Sequence, residues 1–459
     1  MEYLDAKERI QLLNDKKLDR KGDIFYVCEL APRYKYNPAL VHAIQWANEH
    51  SRKLIVLAYV SKNKQPIRHL IFRLEALREL EEKLKTKNIK LVVRKGKYLT
   101  QINKHLEGAA GVVIEKGYLN EHTKKINKLK KKFSGPIIEA ETSLVVPAHI
   151  VSDKREYAAR TFRPKIEECY QDFIQKIRTP AIKSSSLNAK IKSDVDLSKK
   201  NKKILSSLGY KKPSQNYKKQ FQGGYKEARK KLKSFIKDKL DDYADNRQNV
   251  LHDAGHSNLS AYLAKGHISP IEVIRKIERA KGAKHKGRKA FIEELLVRRE
   301  LAYNFVSFEN HYDQFNTLPE WAYETLKKHK SDERKSIYTE SDFEQAKTDD
   351  QLWNLCMRHM KKFGYLHNAL RMYWGKKIIQ CTNTPAHGFK VALELNNKYF
   401  LDGRNPNSYA NILWCFGLHD RAWGESQVFG KVRTYSQENA MGKLGGEEGL
   451  DHFEQQLSH

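Results

Sequence analysis

KLIVLAYVSKNKQPIRHLIFRLEALRELEEKLKTKNIKLVVRK, residues 53–95, contains two different hydrophobic periods. Its two ends are apolar runs rich in Val and Ile, as expected for strands that are covered on both faces of a sheet. The segment between them places its apolar residues on one helical stripe: Ile67, Leu70, Ile71, Leu74, Leu77, Leu80 and Leu84. A strand, a helix and a second strand in this order predict a βαβ unit and therefore a parallel sheet.

The same alternation extends through residues 23–150. Further strand-like runs occur at 23–28, 111–116 and 136–141. We therefore expect residues 1–150 to form a Rossmann-like α/β domain with a parallel sheet. This region has neither a G-x-G-x-x-G sequence nor a P-loop, so no standard nucleotide fingerprint identifies a ligand for it.

The rest of the chain divides into a linker and a helical domain. Residues 151–215 include a Ser- and Lys-rich stretch with few apolar side chains, which indicates a partly exposed interdomain linker. In residues 216–459 strand patterns nearly vanish, and the sequence predicts an all-α domain. Helical patterns separated by Gly and Pro cover residues 225–243, 270–281, 288–308, 351–362, 366–380 and 385–399.

The strongest compositional signal is the net charge of +31 on 459 residues. It favours a polyanionic partner such as DNA, RNA or an anionic surface, although a general enrichment in lysine is an alternative explanation. The five cysteines form no C-x-x-C pair, which excludes a zinc ribbon and fits a reducing compartment. No signal-peptide pattern and no membrane-length apolar run occurs. We expect an intracellular, monomeric protein of the cytoplasm or nucleoid, without a metal site.

Two segments of the helical domain allow both a functional interpretation and a purely structural one. HSNLSAYLAKGHISP (256–270) has small hydroxyl residues before an apolar run, which marks a helix start that either binds phosphate or is simply capped. In FIEELLVRRELAYNF (291–305), Leu295 and its apolar neighbours form a predicted buried face. Glu294 borders that face and lies either at the edge of a cavity or on a solvated surface.

Aromatic residues raise two further questions. LELNNKYFLDGRNPNSYANILWCFGLHDRAW (393–423) places several rings near Arg404 and Arg421, which suits either base stacking with phosphate pairing or inward packing. Trp353 and Trp374 would be far apart on one straight helix, but they become neighbours if the chain reverses near Gly364. Two separate core tryptophans are the alternative.

In this order, the segments resemble motifs of the photolyase/cryptochrome family, and more narrowly of class II cyclobutane pyrimidine dimer photolyases. The matching stretches are SDKREYAARTFRPKI (152–166), SNLSAYLAKGHISP (257–270), EELLVRRELAYNF (293–305), HNALRMYWGKKI (367–378), LNNKYFLDGRNPNSYANILWCFGLHDRAW (395–423) and VFGKVR (428–433). The likeness covers most of the chain. It implies an α/β antenna domain, a linker and a C-terminal helical domain that binds FAD.

The resemblance also implies which residues hold the FAD. They are Tyr243, Ser257, Asn258, Leu259, Ser260, Arg371, Asn396, Asp402 and Gly403. Tyr243 and the segment 257–260 match the diphosphate site, where a helix start would favour phosphate. Arg371 and Asp402 match a charged pair beside the isoalloxazine ring. Asn396 matches the asparagine that faces flavin N5, where an amide can donate or accept as the ring changes its redox state.

Residues for repair follow from the same resemblance. Trp374 matches the near member and Trp353 the far, more exposed member of an electron relay that photoreduces oxidised FAD. Glu294 matches a glutamate that binds the flipped lesion, and a buried carboxyl there would have a raised pKa. The matches to the lesion pocket and to the residues that fill the duplex gap are Asn368, Met372, Trp414, Arg421 and Trp423. The implied reaction flips the dimer out of double-stranded DNA and splits it with one electron from excited, fully reduced FAD.

Three departures from the family pattern accompany these matches. Cys381 replaces a frequent tryptophan, so one branch of the electron path is expected to be missing. Arg298 replaces an aromatic residue of some relatives, and loop 416–421 is one residue short, which affects the placement of Arg421 and Trp423. No residues decide between a deazaflavin and a folate as antenna. A cryptochrome-like flavin photoreceptor and a cofactor-free basic nucleic-acid-binding protein remain the alternative functions.

Overall fold

A six-stranded sheet forms the centre of the N-terminal part of the chain. The computed structural model describes residues 6–18, 21–62, 66–96, 106, 108–210, 220–251, 255–280 and 282–458. The strands are β1 (Ile10–Leu12), β2 (Ile24–Cys28), β3 (Leu54–Val60), β4 (Lys90–Lys95), β5 (Gly111–Glu115) and β6 (Ile137–Ala140). They lie in the order β1-β6-β5-β2-β3-β4.

The inner strand pairings are parallel, as the βαβ pattern predicts. The exception is β1, which pairs with β6 in the antiparallel direction and places Ile10 opposite Ala140. The sheet is therefore mixed, with the predicted parallel pairings inside and one antiparallel strand at its edge. Strand β1 is only three residues long and mostly exposed, so it has no hydrophobic run from which the sequence could reveal it.

The central strands are covered on both faces, which explains their unbroken apolar runs. Every residue of β2, β3 and β5 is buried. Helices Pro38–Glu49 and Ile67–Lys85 supply apolar side chains to the core on one face of the sheet. Helix Asn120–Lys132 supplies Leu129 on the other face. The helix predicted at residues 67–84 is confirmed to within one residue.

The C-terminal part is helical, as predicted. Its α-helices are Tyr225–Asp238, Tyr243–Asn246, Ser260–Ala264, Pro270–Glu278, His285–Ile292, Arg299–Phe308, Glu320–Lys328, Glu340–Gln345, Gln351–Phe363, Asn368–Gln380, Pro385–Tyr399, Pro406–Cys415, Gln437–Leu444 and Gly446–Ser458. A π-helical turn, Glu293–Arg298, joins the fifth and sixth of these into one continuous segment. None of the helices in the described ranges combines the length and apolar character needed to cross a membrane.

Gly364 reverses the chain between two of these helices. It ends the helix Gln351–Phe363 in a left-handed conformation, with φ 72° and ψ 18°. Glycine adopts this conformation without the steric penalty of a Cβ atom. The side chain of His367 then accepts a hydrogen bond from Ala369 N and begins the helix Asn368–Gln380. The chain reversal predicted near Gly364 is therefore confirmed.

The region predicted as a linker is more ordered than its composition suggests. The short helix Ala148–Val151 ends at the first residue of this region, and the helix Ala159–Phe173 follows, with Phe162 in the core of the helical part. Further along, Val195 and Leu197 are almost fully buried in the core beside the sheet, shortly before a helix at 201–207. The expectation of little burial is wrong for these residues. The predicted boundary after residue 215 lies outside the described residues.

Buried charged side chains connect the α/β part to the helical part. The Arg33 guanidinium is 2% exposed and donates to the carbonyl oxygens of Thr142 at 2.7 Å and Gly266 at 2.9 Å. From the helical side, the Glu300 carboxylate accepts a hydrogen bond from Val145 N at 2.6 Å. These contacts hold the helical part against the loop that follows β6.

Candidate active site

A partly buried ion pair lies in the helical part. Arg371 donates two hydrogen bonds to the Asp402 carboxylate, at 3.1 and 3.0 Å. Its Nε donates to the Leu366 carbonyl at 2.9 Å, and its guanidinium carbon lies 3.9 Å from the centre of the Phe400 ring. The side chains of Arg371 and Asp402 are 24% and 14% exposed. The two residues matched to a charged pair therefore do pair, in the bidentate geometry that makes such contacts strong.

Ser260 and Lys265 add to the environment of Asp402. Burial acts to raise the pKa of Asp402, but Arg371, a hydrogen bond from Ser260 and the charge of Lys265 outweigh it, so the pKa lies below its usual value. Burial lowers the pKa of Lys265 to about 8, and its ammonium donates to the Gly403 carbonyl at 2.5 Å. Nothing in the sequence singles out Lys265, because its partner is a backbone carbonyl from a distant turn.

The segment matched to the diphosphate site is an irregular turn before the short helix Ser260–Ala264. Ser257 Oγ accepts a hydrogen bond from Leu259 N at 3.4 Å. Asn258 has a φ of 54°, and its buried Oδ1 has no hydrogen-bond partner among the described residues. Because buried polar atoms nearly always have partners, a ligand that donates a hydrogen bond would fit this oxygen.

Asn396 lies on the helix Pro385–Tyr399, close to the turn that carries Asp402. It is 7% exposed, and its amide nitrogen donates to Asn397 Oδ1 at a long 3.3 Å. The backbone carbonyl oxygen of Asn396 is so close to Gly403 that a Cβ atom at position 403 would lie 2.9 Å from it. Any side chain at position 403 would therefore push the turn away from Asn396, and this explains a glycine at that position.

Trp353 and Trp374 stack against each other. Their ring centres are 6.4 Å apart, their planes differ by 8°, and Trp353 Nε1 donates to the Trp374 carbonyl at 3.0 Å. Trp374 also meets the Phe400 ring at 6.1 Å, which places the pair next to Arg371. The alternative of two separate core tryptophans is wrong. Trp353 is 0% exposed and lies 5.2 Å from Phe343, so the expectation that it is the more exposed ring is also wrong.

Glu294 lies in the π-helical turn and forms an ion pair with Arg247. Its side chain is 35% exposed, so the expectation of a buried carboxyl is wrong. Arg247 is also hydrogen-bonded to Tyr243, whose pKa is raised to about 12 by burial and by the charge of Glu294. Residues matched to two tasks, cofactor binding and lesion contact, thus share one arginine. Arg247 was not predicted from the sequence, although its position one helical turn after Tyr243 was a usable signal.

Comparison with known proteins identifies the family. Residues 31–182 match the family model described as DNA photolyase. A deoxyribodipyrimidine photo-lyase from Methanothermobacter thermautotrophicus is 34% identical over 447 residues, which cover 97% of this chain and 97% of that protein. The chain belongs to the DNA photolyase family. Photolyases bind FAD, which agrees with the cofactor expected from the motifs.

Solved structures confirm the photolyase/cryptochrome fold of the chain. A cryptochrome from Synechocystis sp. PCC6803 has a TM-score of 0.74 at 14% identity, covering 95% of this chain and 89% of that chain. A photolyase from Sulfolobus tokodaii, solved with two FAD molecules, has a TM-score of 0.66 at 14% identity, covering 94% and 89%. The predicted combination of an N-terminal α/β domain and a C-terminal helical domain is therefore correct.

In this photolyase-family chain, one group of the residues matched to the lesion pocket lies on the helix of Arg371 or on a helix that packs against it. Asn368 is exposed at the first position of the Arg371 helix, and Met372 is half-buried one turn later. Trp414 is half-buried on the helix Pro406–Cys415, with the Lys376 ammonium 5.8 Å from its ring centre. Burial lowers the pKa of Lys376 to about 8.

The second group lies in the exposed segment after that helix. Trp423 is 38% exposed, and two guanidinium groups lie near its ring, Arg421 at 4.9 Å and Arg433 at 4.8 Å from the ring centre. It borders a cavity of about 410 Å³ that Arg433 also lines. Arg433 was likewise not predicted as a site residue, although it ends the motif VFGKVR.

The structure shows what surrounds each of the three positions that depart from the family pattern. Arg298 is exposed and pairs with Glu293 at 2.9 Å. Cys381 is buried, and burial raises the pKa of its thiol to about 11. In the shortened loop, His419 has a φ of 59° and its Nδ1 lies 2.8 Å from the Tyr157 carbonyl. The loop is thus anchored to the motif at residues 152–166.

Proposed function

We propose that this protein repairs cyclobutane pyrimidine dimers in double-stranded DNA in a light-dependent reaction. The observation that carries the proposal is the 34% identity, along 97% of both chains, to a deoxyribodipyrimidine photo-lyase. The site fits that activity, because an ion pair and two stacked tryptophans meet around Phe400 in the helical part. The six sequence motifs support assignment to the class II branch of the family.

The groups around the ion pair fit FAD in its fully reduced form. The chemistry that FAD supplies when bound is transfer of one electron to the dimer under blue light and return of that electron after the ring has opened. Arg371 provides a positive charge that would stabilise a reduced, anionic ring, and Asp402 holds Arg371 in position. Asn396 offers an amide there, whereas a carboxylate would repel the anion. The residues proposed to hold the rest of the cofactor are Tyr243, Ser257, Asn258, Leu259, Ser260 and Gly403.

Glu294 is proposed to bind the edge of the flipped lesion. Its carboxyl is one-third exposed on one side and held by Arg247 on the other, so it is both reachable and oriented. Asn368, Met372 and Trp414 would line the remainder of the lesion pocket. Flipping costs less for a dimer than for an intact base pair, because the dimer pairs and stacks poorly.

Trp423 and its two arginines are proposed to contact the DNA from which the lesion has been flipped. The exposed part of the Trp423 indole can stack on bases while the guanidinium groups of Arg421 and Arg433 pair with phosphates. The net charge of +31 provides attraction to the backbone without sequence preference. Binding should therefore weaken steeply as the salt concentration rises.

Trp374 and Trp353 are proposed to relay electrons that photoreduce oxidised FAD. Their parallel rings, 6.4 Å apart, suit rapid electron transfer from one indole to the other. Trp374 would be the near member, because it meets Phe400, which also contacts Arg371.

The proposal is tested by incubating the reduced, flavin-containing protein with dimer-containing DNA, with and without blue light. We expect loss of dimers only in the light. Persistence of the dimers with flavin present would instead support a cryptochrome-like photoreceptor. Freshly purified protein without flavin would support a basic nucleic-acid-binding protein. A Glu294→Gln variant, which keeps the shape of the side chain, should bind flavin normally and repair more slowly.

A further inference from the structure

One histidine ring lies between two carboxylates in the helical part. His329 Nδ1 is 2.7 Å from Asp332 Oδ2, and its Nε2 is 2.8 Å from Glu425 Oε1. An ionised carboxylate can only accept hydrogen bonds, so both ring nitrogens have to donate. A neutral imidazole carries one N–H, whereas the imidazolium carries two. The arrangement therefore fits the positively charged form of His329 and neither neutral tautomer.

Both carboxylates are held in their ionised form. Hydrogen bonds from Lys328 and His329 lower the pKa of Glu425 to about 2. Hydrogen bonds from Val428 N and His329 keep the pKa of Asp332 below its usual value. In return, the hydrogen bonds to Asp332 and Glu425 raise the pKa of His329. The imidazolium is therefore retained at a higher pH than in an ordinary histidine.

The two carboxylates belong to segments that are far apart in the chain. Asp332 lies just after the helix Glu320–Lys328. Glu425 lies in the hairpin 423–431, which begins with the exposed ring of Trp423. The shared imidazolium therefore ties the hairpin to the end of the helix.

Backbone hydrogen bonds give the hairpin its shape. Trp423 N donates to the Lys431 carbonyl at 2.9 Å, and Ser426 N donates to the Gly430 carbonyl at 2.9 Å. Arg433 is the second residue after Lys431. The hairpin thus sets the position of Trp423 relative to the strand end that leads to Arg433.

The His329 ring also packs directly against the hairpin. Gly430 has a φ of 54°, and a Cβ atom at this position would lie 2.8 Å from His329 Cδ2. Next to it, Lys431 N donates to Thr325 Oγ1 at 3.0 Å. Because the hairpin touches the ring itself, a change in the contacts of His329 acts directly on the hairpin.

We propose that the His329 imidazolium positions the hairpin for DNA binding. It holds Trp423 and Arg433 in one arrangement, in which the indole and the guanidinium meet the DNA together. The inference rests on the proposed function, in which these two side chains contact DNA. When the ring loses its proton, one carboxylate faces a ring lone pair instead of an N–H. Glu425 keeps its contact with Lys328 at 2.8 Å, so the hairpin loosens without detaching, and ordering it again on binding lowers the affinity.

The charge of His329 gives this contact a definite pH dependence. The imidazolium is present below the raised pKa of His329 and is lost as the pH rises through it. Lys328 keeps its charge over that range, because Glu425 raises its pKa. Arg334, which donates to the Asp332 carbonyl at 2.7 Å, also stays charged. The affinity for DNA should therefore fall as His329 deprotonates, and DNA should in turn raise the pKa of His329.

Fluorescence anisotropy with a labelled duplex that contains one pyrimidine dimer tests the proposal. It is recorded in the dark on the flavin-containing protein, from about pH 6 to about pH 9. His329→Asn should bind about fivefold more weakly than wild type at the low end, as for loss of one well-formed ion pair near the surface, and nearly equally at the high end. Glu425→Gln should move the fall in affinity to lower pH, because it removes one of the charges that favour the imidazolium. His387→Asn is the matched control, because His387 also faces a carboxylate, Glu340 at 4.0 Å, and it should follow the wild-type profile.

Nuclear magnetic resonance of wild-type protein with isotope-labelled histidine gives a second readout. The His329 signal is the one missing from the spectrum of His329→Asn. Its pKa should lie above the usual value of about 6.5 and should rise when the dimer-containing duplex is added, by the logarithm of the same fold-change.

Three results would overturn the proposal: a pKa of His329 that DNA leaves unchanged, identical pH profiles for wild type and His329→Asn, or a deficit of the variant that is constant at every pH. Light-dependent repair by the wild-type protein tests the proposed function separately. Its absence would refute that function, whereas normal repair together with any of the three results would refute only the positioning role of His329.

Discussion

Replacing Arg371 with methionine should destabilise the protein in a pH-dependent way. The variant leaves the Asp402 carboxylate, whose side chain is 14% exposed, without its bidentate partner. Removing one partner of a buried ion pair costs about 3–5 kcal/mol of the free energy of unfolding, because the other charge stays buried. Lys265 remains close and offsets part of this cost, so we expect a loss of about 3 kcal/mol. Methionine retains a favourable contact with the Phe400 ring.

The sign of the pH dependence follows from the pKa of Asp402. In the wild-type protein this pKa lies below its usual value of about 3.9. Ionised Asp402 therefore contributes stability above that value, and the contribution is lost as the pH falls through the lower folded-state pKa. In Arg371→Met, the positive charge that most strongly opposes the effect of burial is gone, so the pKa of Asp402 rises. The variant loses stability as the pH increases, and its deficit is largest near neutral pH.

Urea denaturation of the flavin-free protein, followed by circular dichroism at about pH 4.5 and about pH 7.5, measures this difference. Arg94→Met is the matched control, because Arg94 pairs with the more exposed Asp194 and should lose less than about 1 kcal/mol. Adding Asp402→Asn to Arg371→Met should restore more than half of the lost stability. A deficit below about 1 kcal/mol, or one that does not change with pH, would refute the reasoning about the buried charge.

The other predictions concern electron transfer, the domain interface and the turn between two helices. Trp374→Phe should slow photoreduction of oxidised FAD while repair by chemically reduced enzyme stays largely intact; equal loss of both in transient spectroscopy and repair assays would make Trp374 a substrate or structural residue. Burial raises the pKa of Glu300 to about 7, so its ionisation costs stability as the pH rises from its usual pKa towards 7. Glu300→Gln should therefore gain stability relative to wild type by up to about 3 kcal/mol between pH 5 and 8 in denaturation curves, and a constant difference would contradict this assignment. Gly364→Ala should lose about 1 kcal/mol in the same assay because of its left-handed φ of 72°, and an unchanged midpoint would show that the turn relaxes freely.

The sequence alone predicts those parts of the structure that depend on local pattern. The strands and the helix at 67–84 carry unmistakable periods, and Gly364 carries a known signal for ending a helix, which is why the neighbouring tryptophans could be anticipated. The antiparallel β1 has neither period nor length. A single sequence offers no measure of how elements from distant segments cover a side chain. For that reason the burial of Trp353 and the exposure of Glu294 were both predicted wrongly.

Residues that act through backbone atoms or through a shared partner are hard to find in a sequence. Lys265 binds a carbonyl oxygen of a turn more than a hundred residues away. Every residue has a backbone carbonyl, so the sequence does not show which one a lysine binds. Arg247 follows the short helix that contains Tyr243, but its ion pair with Glu294 depends on a different helical segment, and the sequence does not show that contact. The motifs identified the residues that match the family, whereas the structure identified those that orient them.

The Arg33 guanidinium limits how this chain can be divided or recombined. It is almost fully buried, and its hydrogen bonds go to carbonyl oxygens of Tyr36 and Thr142 in the α/β part and of Gly266 in the helical part. A helical fragment expressed alone would lose this contact, and a chimera with the α/β part of a relative would keep it only if the carbonyl at Gly266 found an equivalent donor. Protein engineers should therefore treat the two parts as one inherited unit and not as interchangeable modules.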